Sequence, residues 1–149
     1  MEPEVGRDVH TDAGSVWEVL ADGWAYPLWV VGATHMRDVD DDWPSVGSRL
    51  HHSVGMWPFQ LSDNTEVLAV EPGRRLELLA RAWPVGSARV RLTIEPRGPE
   101  GCHVRMWEAA ADPPWRWVPD WAQAPGLLPR NTESLSRLAD VAEHRHRPC

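Results

Sequence analysis

GLLPRNTESLSRLADVAEHRH, residues 126–146, decides how the rest of this chain must be arranged. At about 100° per residue, Leu128, Asn131, Thr132, Leu138, Ala139 and Ala142 fall within about 60° of Leu135. Arg130, Glu133, Arg137, Asp140 and His144 fall on the opposite side. The spacing predicts one long amphipathic helix over 126–146, wet behind and mostly apolar in front. A front of that length needs a broad apolar surface to cover it, and the residues upstream supply one.

From residue 33 the pattern is of strands punctuated by turn chemistry. The readings are 33–40, 48–55, 60–71, 75–83, 88–96 and 102–110, joined by short connections such as PGR and RGPEG, which makes an antiparallel meander over 33–110. Alternation is clearest near its end, where Ala88, Val90, Leu92 and Ile94 oppose Arg89, Arg91, Thr93 and Glu95. Val104, Met106, Glu108 and Ala110 likewise oppose His103, Arg105 and Trp107, as a sheet with one wet face requires. Glu108 is the exception, a charge on the apolar side. The register of 75–83 is open. A four-residue turn at Pro84–Ser87 sends Glu77, Leu79, Arg81 and Trp83 inward, whereas a five-residue turn sends Leu76, Leu78, Ala80 and Ala82 inward. Composition favours the second, which buries no charge.

Ahead of the meander, residues 4–10 form a first strand with Val5 and Val9 pointing alike, and Thr11 or Asp12 caps a helix carrying Val16, Trp17 and Leu20 on one face. A further short helix packs Trp24, Leu28 and Trp29 against the sheet, so that two short helices occupy 13–30. Between meander and final helix, residues 111–125 hold three tryptophans and four prolines, which predicts a rigid flap or a packed connector with no regular structure.

The 149 residues suit one α+β domain over 1–149. Net charge is −7, from 22 acidic and 15 basic residues, all arginine, which leaves no basic excess for phosphates and argues against nucleic acid as a partner. No apolar run reaches the ~20 residues of a membrane span, and the acidic opening MEPEVGRD is unlike a signal peptide, so a cytoplasmic location with no membrane insertion is expected. Cys102 and Cys149 do not make a disulfide framework and are expected as thiols. Ten tryptophans beside one Tyr and one Phe suggest a broad amphipathic lining or surface.

The order of elements, with the pieces VWEVLADGWAYPLWV, RLELLARAWPVGSARVRLTIEP and RNTESLSRLADVAEHR, resembles the START-like or Bet v 1-like superfamily and, within it, the bacterial polyketide cyclase/dehydrase-like proteins. The resemblance covers nearly the whole chain. It implies a helix-grip fold, a seven-stranded antiparallel sheet curved around the C-terminal helix, enclosing a cavity for an apolar or aromatic small molecule. The superfamily includes lipid and hormone carriers as well as aromatase/cyclases, so fold alone leaves the reaction open.

Val90, Leu92, Val104, Met106 and Leu135 are the expected cavity lining, and polar groups among them should orient a ligand. Glu108 stands first. A carboxylate on an apolar face either takes up a proton or meets a cation; it serves as acid/base or anchor, or else reaches solvent or pairs with Arg81. His52, sharing a face with Leu50 and Val54, is the second candidate, with a hydrogen-bonded core histidine as its plainer role. Asn131 and Thr132 either contact ligand or satisfy backbone near the helix start. Trp29, Trp57 and Trp83 fall where the superfamily places cavity-wall or cavity-mouth residues, and Arg81 joins them if the first register holds. His35, His51, His52 and His103 lack metal-ligand spacing, so no metal is expected, and no nucleotide or other cofactor motif is present. Three functions remain: a carrier of a hydrophobic or aromatic small molecule, as monomer or homodimer; a cofactor-free aromatase/cyclase or dehydratase using Glu108 and His52; and an interaction module using the tryptophan-rich segment 113–121.

Overall fold

The computed structural model describes residues 4–30, 33–54, 61–82, 86–111 and 115–145. Strand β1 (Glu4–Val9) leads into helix α1 (Ala13–Ala21). A 3-10 turn at Gly23–Ala25 follows and runs into the single-turn helix α2 (Tyr26–Trp29). Six strands come next: β2 (Ala33–Val39), β3 (Arg49–Val54), β4 (Leu61–Glu71), β5 (Arg75–Ala82), β6 (Gly86–Pro96) and β7 (Cys102–Ala110). A second 3-10 turn, Trp115–Trp117, precedes the long helix α3 (Asp120–Arg145). All strands join one antiparallel sheet in the order β1-β7-β6-β5-β4-β3-β2, so the meander is closed along its β7 edge by the first strand. This is the helix-grip architecture, with α1, α2 and α3 sharing the apolar side of the sheet.

The core is one cluster in which Leu50, Val67, Leu76, Leu78, Leu92, Ile94 and Val104 from the sheet meet Val16 and Val19 from α1 and Leu135, Leu138, Ala139 and Ala142 from α3. Removing such side chains from water contributes about 1.5–3 kcal/mol each. The two periods of the sequence, 2 in the strands and 3.6 in the helix, therefore converge on the same interior. At the start of the chain, Asp12 stands at the N-cap position of α1 and its carboxylate accepts from the Ser15 hydroxyl. Gly23 allows the 3-10 turn to lie against β2 and β3, since a Cβ there would come 2.6 Å from both Leu50 Cδ2 and Val39 Cγ1.

Three expectations are corrected. Helix α3 begins at Asp120, not Gly126, and runs through Pro125 and Pro129. Each proline removes only a single rung of the i→i−4 ladder. The start signal lies further upstream: Pro119 precedes the first turn and its carbonyl accepts from the Ala122 N–H at 2.9 Å. The connector thus reduces to the segment around the second 3-10 turn. In the α1–β2 segment, Trp24 and Leu28 point to solvent, each 58% exposed, while Tyr26 and Trp29 take the buried positions. In the hairpin of β5 and β6, Ala80 pairs with Ala88 and Ala82 with Gly86, a register that neither turn considered would give. The apolar face favoured on composition is the buried one: Leu76 and Leu78 lie in the core.

That register carries Arg81 to the outer face, where its Nη1 donates to Asn64 Oδ1 at 2.6 Å and its Nη2 to Glu66 Oε1 at 3.1 Å. The outer and edge carboxylates share such partners. Donation from Arg81 to Glu66, from the Ser15 hydroxyl to Asp12, from His51 to Asp40 and from His103 to Asp8 lowers each carboxyl below its ordinary value, 4.5 for the glutamate and 3.8 for the aspartates. A carboxyl whose folded value is depressed adds stability that is fully present above its unfolded value and is lost as pH falls through the folded one. Stability should therefore hold to about pH 5 and decline below the ordinary carboxylate range. Urea midpoints measured between pH 6 and pH 3 check this, and Glu66→Gln should flatten the decline.

Candidate functional site

The inner face of the sheet is graded along the strands. One transverse row is Leu76, Leu92 and Met106; the next is Val67, Leu78, Val90 and Glu108; the third is Thr65, Ala80, Ala88 and Ala110. Side chains shrink from leucine to alanine across these rows. Glu108 stands at the boundary, 2% exposed, so the sequence was correct to mark it as a charge inside an apolar wall.

Its partner is Arg130 from the first half of α3, whose Nη2 donates to Glu108 Oε1. The same Nη2 reaches Asn131 Oδ1 at 3.3 Å, with Nε at 3.4 Å from that oxygen. One guanidinium therefore ties the polar break in β7 to the polar break in α3. Arg130 was assigned to the wet side of the helix, and its Cα direction agrees with that, since its side chain stays 36% exposed. What the helical wheel omits is the length of arginine, whose stem carries the guanidinium round the helix flank to a buried anion.

Asn131 is 1% exposed and its Nδ2 has no hydrogen-bond partner among the described residues. Near this cluster lies Tyr26, hydrogen-bonded through its side chain to Thr65 and within electrostatic range of both Arg130 and Glu108. Burial pushes the Tyr26 phenol up from its usual value, so it is a neutral donor and acceptor at physiological pH. Trp29 stacks edge-on against Tyr26, with centroids 5.5 Å apart and planes at 69°. Sequence reasoning missed Tyr26; the signal available was its i,i+3 spacing to Trp29 within a segment already read as helical.

The remaining expected site residues divide. Trp29, Val90, Leu92, Val104, Met106 and Leu135 belong to the one buried cluster. Thr132 does not: it is exposed, and its hydroxyl donates back to the Leu128 carbonyl at 2.7 Å. Arg81 lies on the opposite face of the sheet, so Arg81 is no partner of Glu108. His52 pairs with Asp63 and Met36 in the ladder, but its side chain lies outside the described residues, as do Trp57 and Trp83 altogether. Trp117, on the second 3-10 turn, is 76% exposed. Among the described residues no group of three His, Cys, Asp or Glu converges as metal ligands would.

The arrangement is a buried carboxylate paired to a partly exposed guanidinium, beside an amide donor with no partner among the described residues and a neutral phenol, set in an apolar wall. Such a group can orient a polar atom on an otherwise greasy ligand. For Glu108 to act as a general base it has first to release a guanidinium.

A family model described as polyketide cyclase / dehydrase and lipid transport matches residues 4–143. The chain belongs to that family. Its fold is shared by solved structures of distant sequence. A Mesorhizobium loti protein, MLL2253, is 23% identical over 97% of this chain and 98% of its own, with a TM-score of 0.68. The di-domain ARO/CYC BexL of the BE-7585A biosynthetic pathway is 17% identical, with a TM-score of 0.70 over 99% of this chain and 48% of that one. Norcoclaurine synthase from Thalictrum flavum is 15% identical, with a TM-score of 0.63 over 95% of this chain and 83% of that one. No curated protein matches the chain in sequence. Likeness at these identities establishes the START-like, Bet v 1-like fold, and the reaction or ligand of any neighbour remains its own.

Proposed function

We propose that this protein binds a hydrophobic or aromatic small molecule in the space between the sheet and α3, at the end where the sheet carries Thr65, Ala80, Ala88 and Ala110. The observation that carries this reading is the Glu108–Arg130–Asn131 cluster. An apolar core gains nothing in stability from a buried carboxylate, even one paired to a guanidinium, and an amide without a partner among the described residues that well-packed apolar residues of like volume would not match, so these groups point to a role in recognition. Family membership supports the same reading, because its description joins cyclase and dehydrase members with lipid transport. No helix among the described residues is long and apolar enough to cross a membrane, and we place the protein in the cytoplasm, acting on a dissolved ligand without cofactor, as a monomer or homodimer.

An enzyme of the aromatase/cyclase or dehydratase kind is the second reading, favoured by the buried neutral phenol of Tyr26 beside the ion pair. It would add proton transfer by Glu108 or His52 to the same binding site. The guanidinium on Glu108 weighs toward binding.

Ten tryptophans make intrinsic fluorescence the direct probe. Titration with a panel of naphthalene, anthracene and fatty-chain compounds should quench or shift emission with micromolar saturation, and Ala110→Leu, which enlarges a part-buried side chain at that end of the inner face, should weaken the response while leaving the fold intact. A flat response to every compound, with nothing carried through native mass spectrometry of the freshly purified protein, would remove the reading.

A further inference from the structure

Asn131 is oriented by its neighbour. Its Oδ1 faces the Nη2 and Nε donors of Arg130, so the other end of the amide must be the NH2 group, and the two ends are not interchangeable. That NH2 is buried and has no acceptor among the described residues. Buried donors nearly always find one, and an exception calls for a reason. The local charge limits what the missing acceptor can be. Arg130 is the cation beside the site, and Glu108 already neutralises it at close range. An entering carboxylate would be a second anion beside a guanidinium already paired, at a place where Glu108 and Asn131 are both buried from water. A ketone, quinone, lactone or amide oxygen accepts a hydrogen bond without bringing charge.

We propose that Asn131 is the specificity-determining residue of the ligand site, its Nδ2 donating to an uncharged carbonyl-type oxygen while the Glu108–Arg130 pair disfavours carboxylates. The inference rests on the binding site of the preceding subsection. It also explains why an asparagine joins the buried face of α3, which holds Leu135, Leu138, Ala139 and Ala142 together with the hydrogen-bonded Ser134. Among the described residues that donor has no acceptor, and a bound carbonyl oxygen supplies one.

Three probes of one shape separate the possibilities: 2-ethylnaphthalene, 2-acetonaphthone and 2-naphthoate, titrated by tryptophan fluorescence against the full chain, Asn131→Leu and Asn131→Asp. The natural chain should bind the ketone roughly 3- to 10-fold more tightly than the hydrocarbon, the value of one neutral hydrogen bond, and the carboxylate no more tightly than the hydrocarbon. Asn131→Leu should keep the hydrocarbon affinity, lose the ketone preference, and melt in the absence of ligand at the same temperature or higher. Asn131→Asp, which keeps the shape and replaces the donor by an acceptor, should also lose the ketone preference. Equal binding of all three probes by every variant overturns the assignment of Asn131 while leaving the binding site intact. Tighter binding of the carboxylate overturns it too, as does a large fall in melting temperature for both variants, which makes the amide a structural group. Binding of none of the probes removes the site and the assignment together.

Discussion

Replacing Arg130 by methionine should cost about 3 kcal/mol of folding stability, far more than a side chain 36% exposed would suggest. The loss comes from Glu108, which is left in the interior with its ion-pair donor gone. Breaking a buried pair by removing one partner costs about 3–5 kcal/mol, and the lower end applies here because water can reach the space that the guanidinium leaves. The pair itself is a different matter. Glu108→Leu together with Arg130→Met removes both charges and leaves an apolar contact between β7 and α3, so the double variant should return to within about 1 kcal/mol of the natural chain. Urea unfolding of the two single variants and the double variant closes the cycle, with a coupling of a few kcal/mol expected. A coupling near zero would mean that Arg130 and Glu108 do not meet in solution.

Leu138→Ala carries the other large effect. Leu138 is fully buried at the centre of the apolar front of α3, in the cluster that joins Val16 and Val19 to the sheet. Truncation of a leucine at such a position costs about 2–5 kcal/mol, the sum of lost transfer energy and the cavity that remains. Because α3 is the element on which α1, α2 and β1 converge, the loss should appear as a lower urea midpoint for the whole molecule with an unchanged slope. Local fraying of α3 alone, with the sheet melting as before, would contradict the packing described.

The backbone architecture was legible because it follows from local rules. Alternation in 88–96 and 102–110 defines a two-faced hairpin whichever partners it finds, and the wheel from Leu128 to Ala142 defines a helix front with Thr132 misplaced and the buried Ser134 left off it. What failed were positions where geometry depends on neighbours. Trp24 and Leu28 were assigned inward with Trp29, but the 3-10 turn at Gly23–Ala25 advances about 120° per residue, and Tyr26 joins Trp29 at the inward positions in their place. Arg81 depended on the length of one connection, and one residue of slip exchanges the faces of a strand. Helix α3 started early because each proline removes one backbone hydrogen bond, and a long packed helix survives the loss of two.

The candidate site was half legible. Glu108 and Asn131 show themselves as polar residues breaking apolar patterns, which needs no structure to see. Arg130 does not, because a pattern records where a Cα points and an arginine reaches several ångströms beyond it. Tyr26 was overlooked among the tryptophans beside it, although its hydroxyl is the kind of polar handle that a buried aromatic needs partners for. The lesson from these residues is that a polar break on one apolar face should be sought together with the long cation able to reach it from the next element.

The side-chain amide of Asn131 offers the most direct view of the binding reading. In a ¹H–¹⁵N spectrum its NH2 pair can be assigned by its loss in Asn131→Leu and followed as 2-acetonaphthone is added. The pair should shift progressively and saturate together with the tryptophan quench, while 2-ethylnaphthalene moves it less. Saturating quench with an Asn131 pair that stays where it was would mean that the ligand binds elsewhere, and that the buried cluster of Glu108, Arg130 and Asn131 is not the ligand site.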